Sequence, residues 1–181
     1  MNEIHVKIAE LKTGKSGDIL RATLGSCVGI AFVWKEKDLC GLAHCFLPET
    51  ETEAHLPGGK YVNQAILNLM KVMGIKKENI KEIDVYLAGG GNMMNKLFKL
   101  NRSQVGQFNA EAAHKYLAFH GFKIKGEMMG SNTGSRISVD CTSKEVEFTV
   151  LEEINNYAWK ASWRDRYEAI INKHLYIFSS R

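Results

Sequence analysis

The most informative stretch of this chain for its architecture is 19–34, I-L-R-A-T-L-G-S-C-V-G-I-A-F-V-W. Apolar residues run through both halves of the stretch, and the small residues at 25–27 interrupt them. The pattern predicts a strand, a tight turn, and then a buried strand or a helix start over 28–33. A second apolar stretch, 39–47, predicts another buried strand, and Pro48 ends it because proline cannot donate to a central ladder.

Helix and strand patterns alternate through the rest of the chain. Apolar residues at helical spacing predict a helix over 60–73, with Gly74 as its C-terminal stop. A second helix is expected from Ser103, an N-cap residue, to Gly121. Its expected buried face consists of Val105, Phe108, Ala112, Tyr116 and Leu117. Strands are expected over 4–8, 83–88 and 122–128, with a hairpin formed by 137–141 and 146–150.

This mixture of elements predicts a single α+β domain over residues 1–181. Within it we expect a core at 1–150 and a helical extension at 151–181, which we interpret as a packed C-terminal helix. A partner-binding surface is the alternative interpretation of that extension.

The composition narrows the class of protein. Apolar residues make up 45% and charged residues 24% of the chain, as in globular proteins with a packed core. A net charge of +4 does not indicate a nucleic-acid-binding surface. No apolar run is long enough to insert into a membrane, and residues 1–15 lack a signal-peptide core. We therefore expect a cytoplasmic protein whose four cysteines are free thiols.

Cys27 and His44 are candidates for nucleophilic chemistry. An imidazole beside a thiol can take its proton, and two neighbouring strands would bring these residues together. Small residues before Cys27 would let a substrate carbonyl approach backbone N–H groups. The spacing alone is a weak signal, because buried cysteines are usually inert, so from the residues alone a structural cysteine is the favoured interpretation and a nucleophile is the alternative.

Two other motifs suggest different chemistry. Cys40, His44 and Cys45 could ligate zinc together with Cys27, but on one strand Cys45 would face away from His44. The glycine-rich segment 89–92 follows a predicted strand, where phosphate-binding loops occur, which makes a nucleotide-binding protein one hypothesis. It lacks both the G-x-G-x-x-G and G-K-[ST] patterns, so a tight turn or close backbone crossing is the favoured interpretation.

Five segments, in order, resemble the chemoreceptor glutamine deamidases of bacterial chemotaxis, the CheD family. They are L-G-S-C-V (24–28), A-H-C-F-L-P (43–48), G-G-G-N-M-M (89–94), V-G-Q-F-N-A (105–110) and G-S-N-T-G-S-R (130–136). The resemblance covers roughly residues 1–150.

The resemblance implies a β-sandwich core flanked by helices, similar to the cysteine deamidase domains of certain bacterial toxins. It implies hydrolysis of glutamine side chains on methyl-accepting chemotaxis receptors, with Cys27 as nucleophile and His44 as general base and acid. The N–H groups of Ser26 and Cys27 would hold the oxyanion, with no metal or organic cofactor. A CheC-type phosphatase of the response regulator CheY is the implied partner.

The chain departs from the family pattern at three places. Phe108 stands where the family has an arginine, Ser131 alters a glycine pair, and the third change bears on the site. The threonine that orients the histidine in the family corresponds to Arg21 here, and Thr23 lies two residues later. Thr23, Arg21 or a backbone carbonyl are the candidates to orient His44. The substitution also motivates a second hypothesis, a regulatory module that docks a CheC-type phosphatase with little catalysis of its own.

Overall fold

The computed structural model of the chain describes residues 1–52, 57–91 and 104–151. These ranges contain nine strands and two α-helices, with short 3₁₀ helices at Lys35–Lys37 and Lys77–Glu82. The strands are β1 (Asn2–His5), β2 (Leu11–Gly14), β3 (Asp18–Leu24), β4 (Val28–Trp34), β5 (Leu39–Cys45), β6 (Ile83–Gly89), β7 (Ile124–Met129), β8 (Ser135–Asp140) and β9 (Val146–Val150). The helices are α1 (Val62–Met73) and α2 (Val105–His120).

The strands form two sheets. The four-stranded sheet has the order β1-β3-β8-β9, and the five-stranded sheet has the order β2-β5-β4-β6-β7. Only the β1–β3 and β6–β7 pairs are parallel; the others are antiparallel. Consecutive strands β3 and β4 belong to different sheets, so the turn between them crosses from one sheet to the other.

Two apolar layers hold the domain together. Side chains from both sheets, including Leu20, Leu24 and Val139, fill the space between the sheets. The other face of the five-stranded sheet packs against the buried faces of α1 and α2, through residues such as Leu69 and Leu117. Every residue of β4 is buried because this strand lies between the two layers. The expected α+β sandwich with flanking helices is confirmed.

Most expected elements are present close to their expected bounds. The stretch after Cys27 is a strand throughout, and α1 ends at Gly74, whose φ of 69° is left-handed. The first strand lies earlier in the chain than the expected 4–8, since β1 runs from Asn2 to His5. The expected N-cap at Ser103 and the expected helical extension lie outside the described residues. The division into a core and an extension therefore stays a prediction.

The expected buried face of α2 is partly wrong. Phe108 is 48% exposed, whereas Gly106 and Asn109 are buried with Ala113 and Leu117. Ala112 and Leu117 are buried as expected. Gly106, Asn109, Ala113 and Leu117 follow helical spacing, so α2 is rotated about its axis relative to the expected face. The rotation presents a glycine and an asparagine to the sheet, which apolar periodicity does not indicate.

Candidate active site

Cys27 lies at the end of the turn that crosses between the sheets. Its side chain is 5% exposed and belongs to the apolar layer between them. Alternate residues of β3, Ala22 and Leu24, are buried in the same layer. The crossing therefore directs the Cys27 thiol into the interior of the sandwich at one of its ends.

His44 is brought to the same end by β5. It lies directly opposite Gly29 of β4 in the antiparallel register, and Cys27 precedes Gly29 by two residues. On a regular strand, a residue two positions before Gly29 would share this face and lie about 7–8 Å from His44. Cys27 takes that place in sequence but lies in the turn, just before β4 begins. Neighbouring β5 residues Cys40 and Leu42 also face the layer between the sheets, whereas Cys45 faces the helices. The structure thus places Cys27 and His44 at the same end of the layer between the sheets.

Three hydrogen bonds to one segment hold His44. Its Nδ1 lies 3.0 Å from the Val6 carbonyl oxygen. Its backbone N–H donates to the Glu10 carbonyl oxygen, and its own carbonyl oxygen accepts from the Ala9 N–H. A carbonyl oxygen only accepts, so Nδ1 carries the proton and donates it to Val6. In the neutral ring Nε2 then carries the lone pair, and it is buried with no hydrogen-bond partner among the described residues. This nitrogen is the atom of the ring that is able to accept a proton.

Burial sets the protonation state of both groups. Burial raises the pKa of the Cys27 thiol to about 12, because a thiolate loses hydration there. Burial also lowers the pKa of His44, against the opposing effects of the Val6 hydrogen bond and the Glu10 charge. Both shifts favour the neutral forms, a thiol and an imidazole, over an ion pair.

Thr23 is not in a position to orient His44. It is exposed on β3, between the buried Ala22 and Leu24, and so faces away from the layer that holds the imidazole. Arg21 shares this outer face, where it pairs with Glu3 and donates to Ser138. Thr23 is therefore not placed to contact the imidazole, and the group that contacts His44 Nδ1 is the Val6 carbonyl.

The carbonyl groups of the turn are fixed by neighbouring elements. The Gly25 oxygen accepts from the Gly91 N–H at 2.8 Å, and the Ser26 oxygen accepts from the side chain of Asn109 at 3.0 Å. The Cys27 oxygen accepts from the Gly90 N–H at 2.8 Å. A trans peptide directs its N–H opposite to its C=O, so the N–H groups of Ser26 and Cys27 point away from Gly91 and Asn109.

The glycine-rich segment after β6 packs directly on this turn. A Cβ on Gly89 would lie 2.1 Å from the Cys27 oxygen, and φ is 100° at Gly89 and 62° at Gly90. A Cβ on Gly91 would lie 2.3 Å from the Ser131 oxygen. The expected close backbone crossing is confirmed for residues 89–91. A phosphate would need the N–H groups of Gly90 and Gly91, but these already donate hydrogen bonds to carbonyl oxygens of the turn.

The other cysteines do not form a metal site within the described ranges. Cys40 and Cys45 lie on opposite faces of β5. No three side chains of His, Cys, Asp or Glu come together in residues 1–52, 57–91 and 104–151. No helix within those same ranges is long and apolar enough to span a membrane.

Sequence reasoning missed two groups of the site. The Val6 carbonyl belongs to the main chain, so no residue type signals its role. Asn109 was within reach, because Gly106, Asn109, Ala113 and Leu117 recur at helical spacing. Weighting apolar residues alone put Phe108 on that face instead.

The fold and this arrangement define an α+β sandwich protein with a buried cysteine–histidine pair. The family model described as CheD chemotactic sensory transduction matches residues 46–150. A "Probable chemoreceptor glutamine deamidase CheD 2" of Ruegeria sp. (strain TM1040) is 35% identical over 163 residues, 81% of this chain and 91% of the relative. The chain therefore belongs to the CheD family, and the resemblance stated above is confirmed.

A second relative is similar in sequence, and a solved structure is similar in overall shape only. A "Probable chemoreceptor glutamine deamidase CheD" of Bdellovibrio bacteriovorus is 34% identical over 137 residues, 76% of this chain and 88% of the relative. The crystal structure of the hypothetical protein YfiH of Bacillus licheniformis superposes with a TM-score of 0.43 at 14% identity. That superposition covers 68% of this chain and 52% of YfiH.

Proposed function

We propose that this protein deamidates glutamine side chains of methyl-accepting chemotaxis receptors, with Cys27 as nucleophile and His44 as base. The names of its relatives supply the reaction and the substrate. The observation that carries the residue assignment is the His44 imidazole, buried and held through Nδ1, with Nε2 unpartnered on the face that holds Cys27. In this proposal the reaction takes place in the cytoplasm and needs no cofactor.

The first half of the reaction forms a thioester. His44 Nε2 takes the Cys27 proton as the sulfur forms a bond to the carboxamide carbon of glutamine. The N–H groups of Ser26 and Cys27 hold the resulting oxyanion; one such donor typically contributes a factor of about 10²–10³ to the rate. The imidazolium then protonates the nitrogen, the C–N bond breaks, and ammonia leaves.

The second half returns the enzyme to its resting state. The neutral imidazole takes a proton from water, whose oxygen attacks the thioester carbon. The C–S bond breaks, the Cys27 sulfur receives the proton from His44, and the product is glutamate. In this proposal the proton leaves Cys27 as the sulfur attacks, since burial disfavours a separated thiolate and imidazolium.

The position of Arg21 favours the enzymatic hypothesis over the regulatory-module hypothesis. Its side chain lies on the outer face with Glu3 and Ser138, away from the layer that holds the His44 imidazole. Docking of a CheC-type phosphatase stays a prediction beside the enzymatic one.

Mass spectrometry of a receptor cytoplasmic fragment tests the proposal. The fragment is incubated with wild-type protein, Cys27→Ala, His44→Ala and the control Cys45→Ala. Cys45 is a suitable control because it is also buried and follows His44 directly, yet it faces the helices. We expect glutamine-to-glutamate conversion by the wild type and Cys45→Ala only. Activity in Cys27→Ala, or its loss in a folded Cys45→Ala, would show that the nucleophile is misassigned.

A further inference from the structure

Asn109 is a polar side chain in the interior with an unusual pair of partners. It lies in the second turn of α2 and is completely buried. Its Nδ2 donates to the Ser26 carbonyl and to the Phe46 carbonyl, both at 3.0 Å. Both protons of the amide group are therefore used, one on each side of the candidate site.

The orientation of the amide follows from these partners. Both neighbours are carbonyl oxygens, so a flipped amide would place Oδ1 against two acceptors. With Nδ2 in this position, Oδ1 is buried and has no partner among the described residues. A buried acceptor without a partner is unfavourable, and an alanine here would bury no such atom. The asparagine is therefore not explained by packing alone.

The two carbonyls belong to the two chain segments that carry Cys27 and His44. Ser26 immediately precedes Cys27, and Phe46 follows His44 by two residues. The β4–β5 ladder ends at the pair Val28 and Cys45, so Cys27 and Phe46 lie just beyond its last pair. Two hydrogen bonds from one nitrogen hold their acceptors about 5 Å apart. The amide of Asn109 thus joins the segments where the ladder stops.

We propose that Asn109 is a positioning residue, which rests on the proposed function of Cys27 and His44. Its amide fixes the turn before Cys27 against the end of β5, and so sets the alignment of the thiol with His44 Nε2. A misplacement of about 1 Å in such a pair typically lowers the rate about 10²-fold. Asn109 acts through the backbone and does not touch the substrate.

Two variants separate this role from packing. Asn109→Ala removes both hydrogen bonds, whereas Asn109→Asp keeps the shape but presents a carboxylate to the two carbonyls. The matched control is Asn68→Ala, because Asn68 is also buried on a helix and its Nδ2 donates to the Gly58 carbonyl at 2.8 Å. Each variant is measured well below its own Tm, so that loss of the fold does not contribute.

Two readouts are measured for each variant. The first is kcat and KM for receptor deamidation. The second is the rate of Cys27 alkylation by iodoacetamide at pH 8, followed by peptide mass spectrometry, with His44→Ala as the reference for a thiol without its base. The second readout does not depend on deamidation.

For Asn109→Ala we expect kcat to fall about 100-fold with KM changed less than about threefold. Cys27 alkylation should fall to the rate of His44→Ala, while Asn68→Ala keeps both wild-type values. If a folded Asn109→Ala keeps the wild-type kcat or the wild-type alkylation rate, the positioning role is wrong. If the wild type does not deamidate the receptor, the proposed function is wrong. The rate of Cys27 alkylation would then be the measurement that tests the role of Asn109.

Discussion

Substituting Gly106 by alanine tests the close approach of α2 to the glycine-rich segment. A Cβ at this position would lie 2.4 Å from the Gly91 oxygen and 2.7 Å from the Gly90 oxygen. Ordinary non-bonded contacts are about 3.5 Å, so backbone atoms must separate by roughly 1 Å. Because both obstacles are main-chain atoms, no side-chain rotation can relieve them, and α2 must move away from the turn.

The expected free-energy change has two opposing parts. Alanine is favoured over glycine in a helix by up to about 1 kcal/mol, which would stabilise the variant if space were available. Overpacking typically costs about 1–3 kcal/mol. We expect a net loss of about 1–2 kcal/mol, or roughly 2–8 °C in Tm for a chain of this size. Asn109 lies three residues further along α2, so its hydrogen bonds lengthen and kcat falls about 10²-fold.

Urea unfolding and receptor deamidation measure these two effects. The control is Gly126→Ala on β7. Its new Cβ would lie 3.2 Å from the Tyr86 ring, and that side chain can adjust. We expect Gly126→Ala to keep the wild-type kcat. A Gly106→Ala protein that is as stable as the wild type, or more stable, would show that helix propensity dominates. The inferred contact between α2 and residues 90–91 would then be wrong.

Two further predictions concern His44. Thr23→Ala should keep kcat within about twofold of the wild type, because Thr23 is exposed on the outer face of β3; a large loss in steady-state assays would restore it to the site. Burial lowers the pKa of His44, so the unfolded chain binds this proton more readily than the folded protein. Its contribution to stability is present above the ordinary pKa of about 6.5 and is lost as the pH falls below that value. Wild-type protein should therefore lose more unfolding free energy than His44→Gln between about pH 7.5 and 5 in urea titrations, and equal losses would refute the inference.

Strand positions were predictable because their apolar residues are continuous or alternate. The turn at 25–27 could also be predicted, since three small residues separate two apolar runs. The sequence does not show that β3 and β4 join different sheets, because that depends on pairing with β8 and β5. Yet that crossing is what places Cys27 between the sheets.

The candidate side chains of the site could be predicted from the sequence, whereas the main-chain groups that contact them could not. The alternation of Leu20, Ala22 and Leu24 already indicated that Thr23 faces outward. The acceptor on His44 could not be found in this way, because the Val6 carbonyl is common to every residue type. Asn109 is an intermediate case, visible as a helical position but not as a buried one, since asparagine is rarely chosen for a core.

The three hydrogen bonds of His44 to residues 6–10 have a practical consequence for handling the protein. This segment passes from β1 in one sheet to β2 in the other, and β1 is held by a single neighbouring strand. Proteolytic trimming or a bulky fusion that pulls β1 off β3 would release the imidazole while leaving both reactive side chains chemically intact. Tags, dyes and surface attachment are therefore better directed to an exposed lysine of α1, such as Lys71.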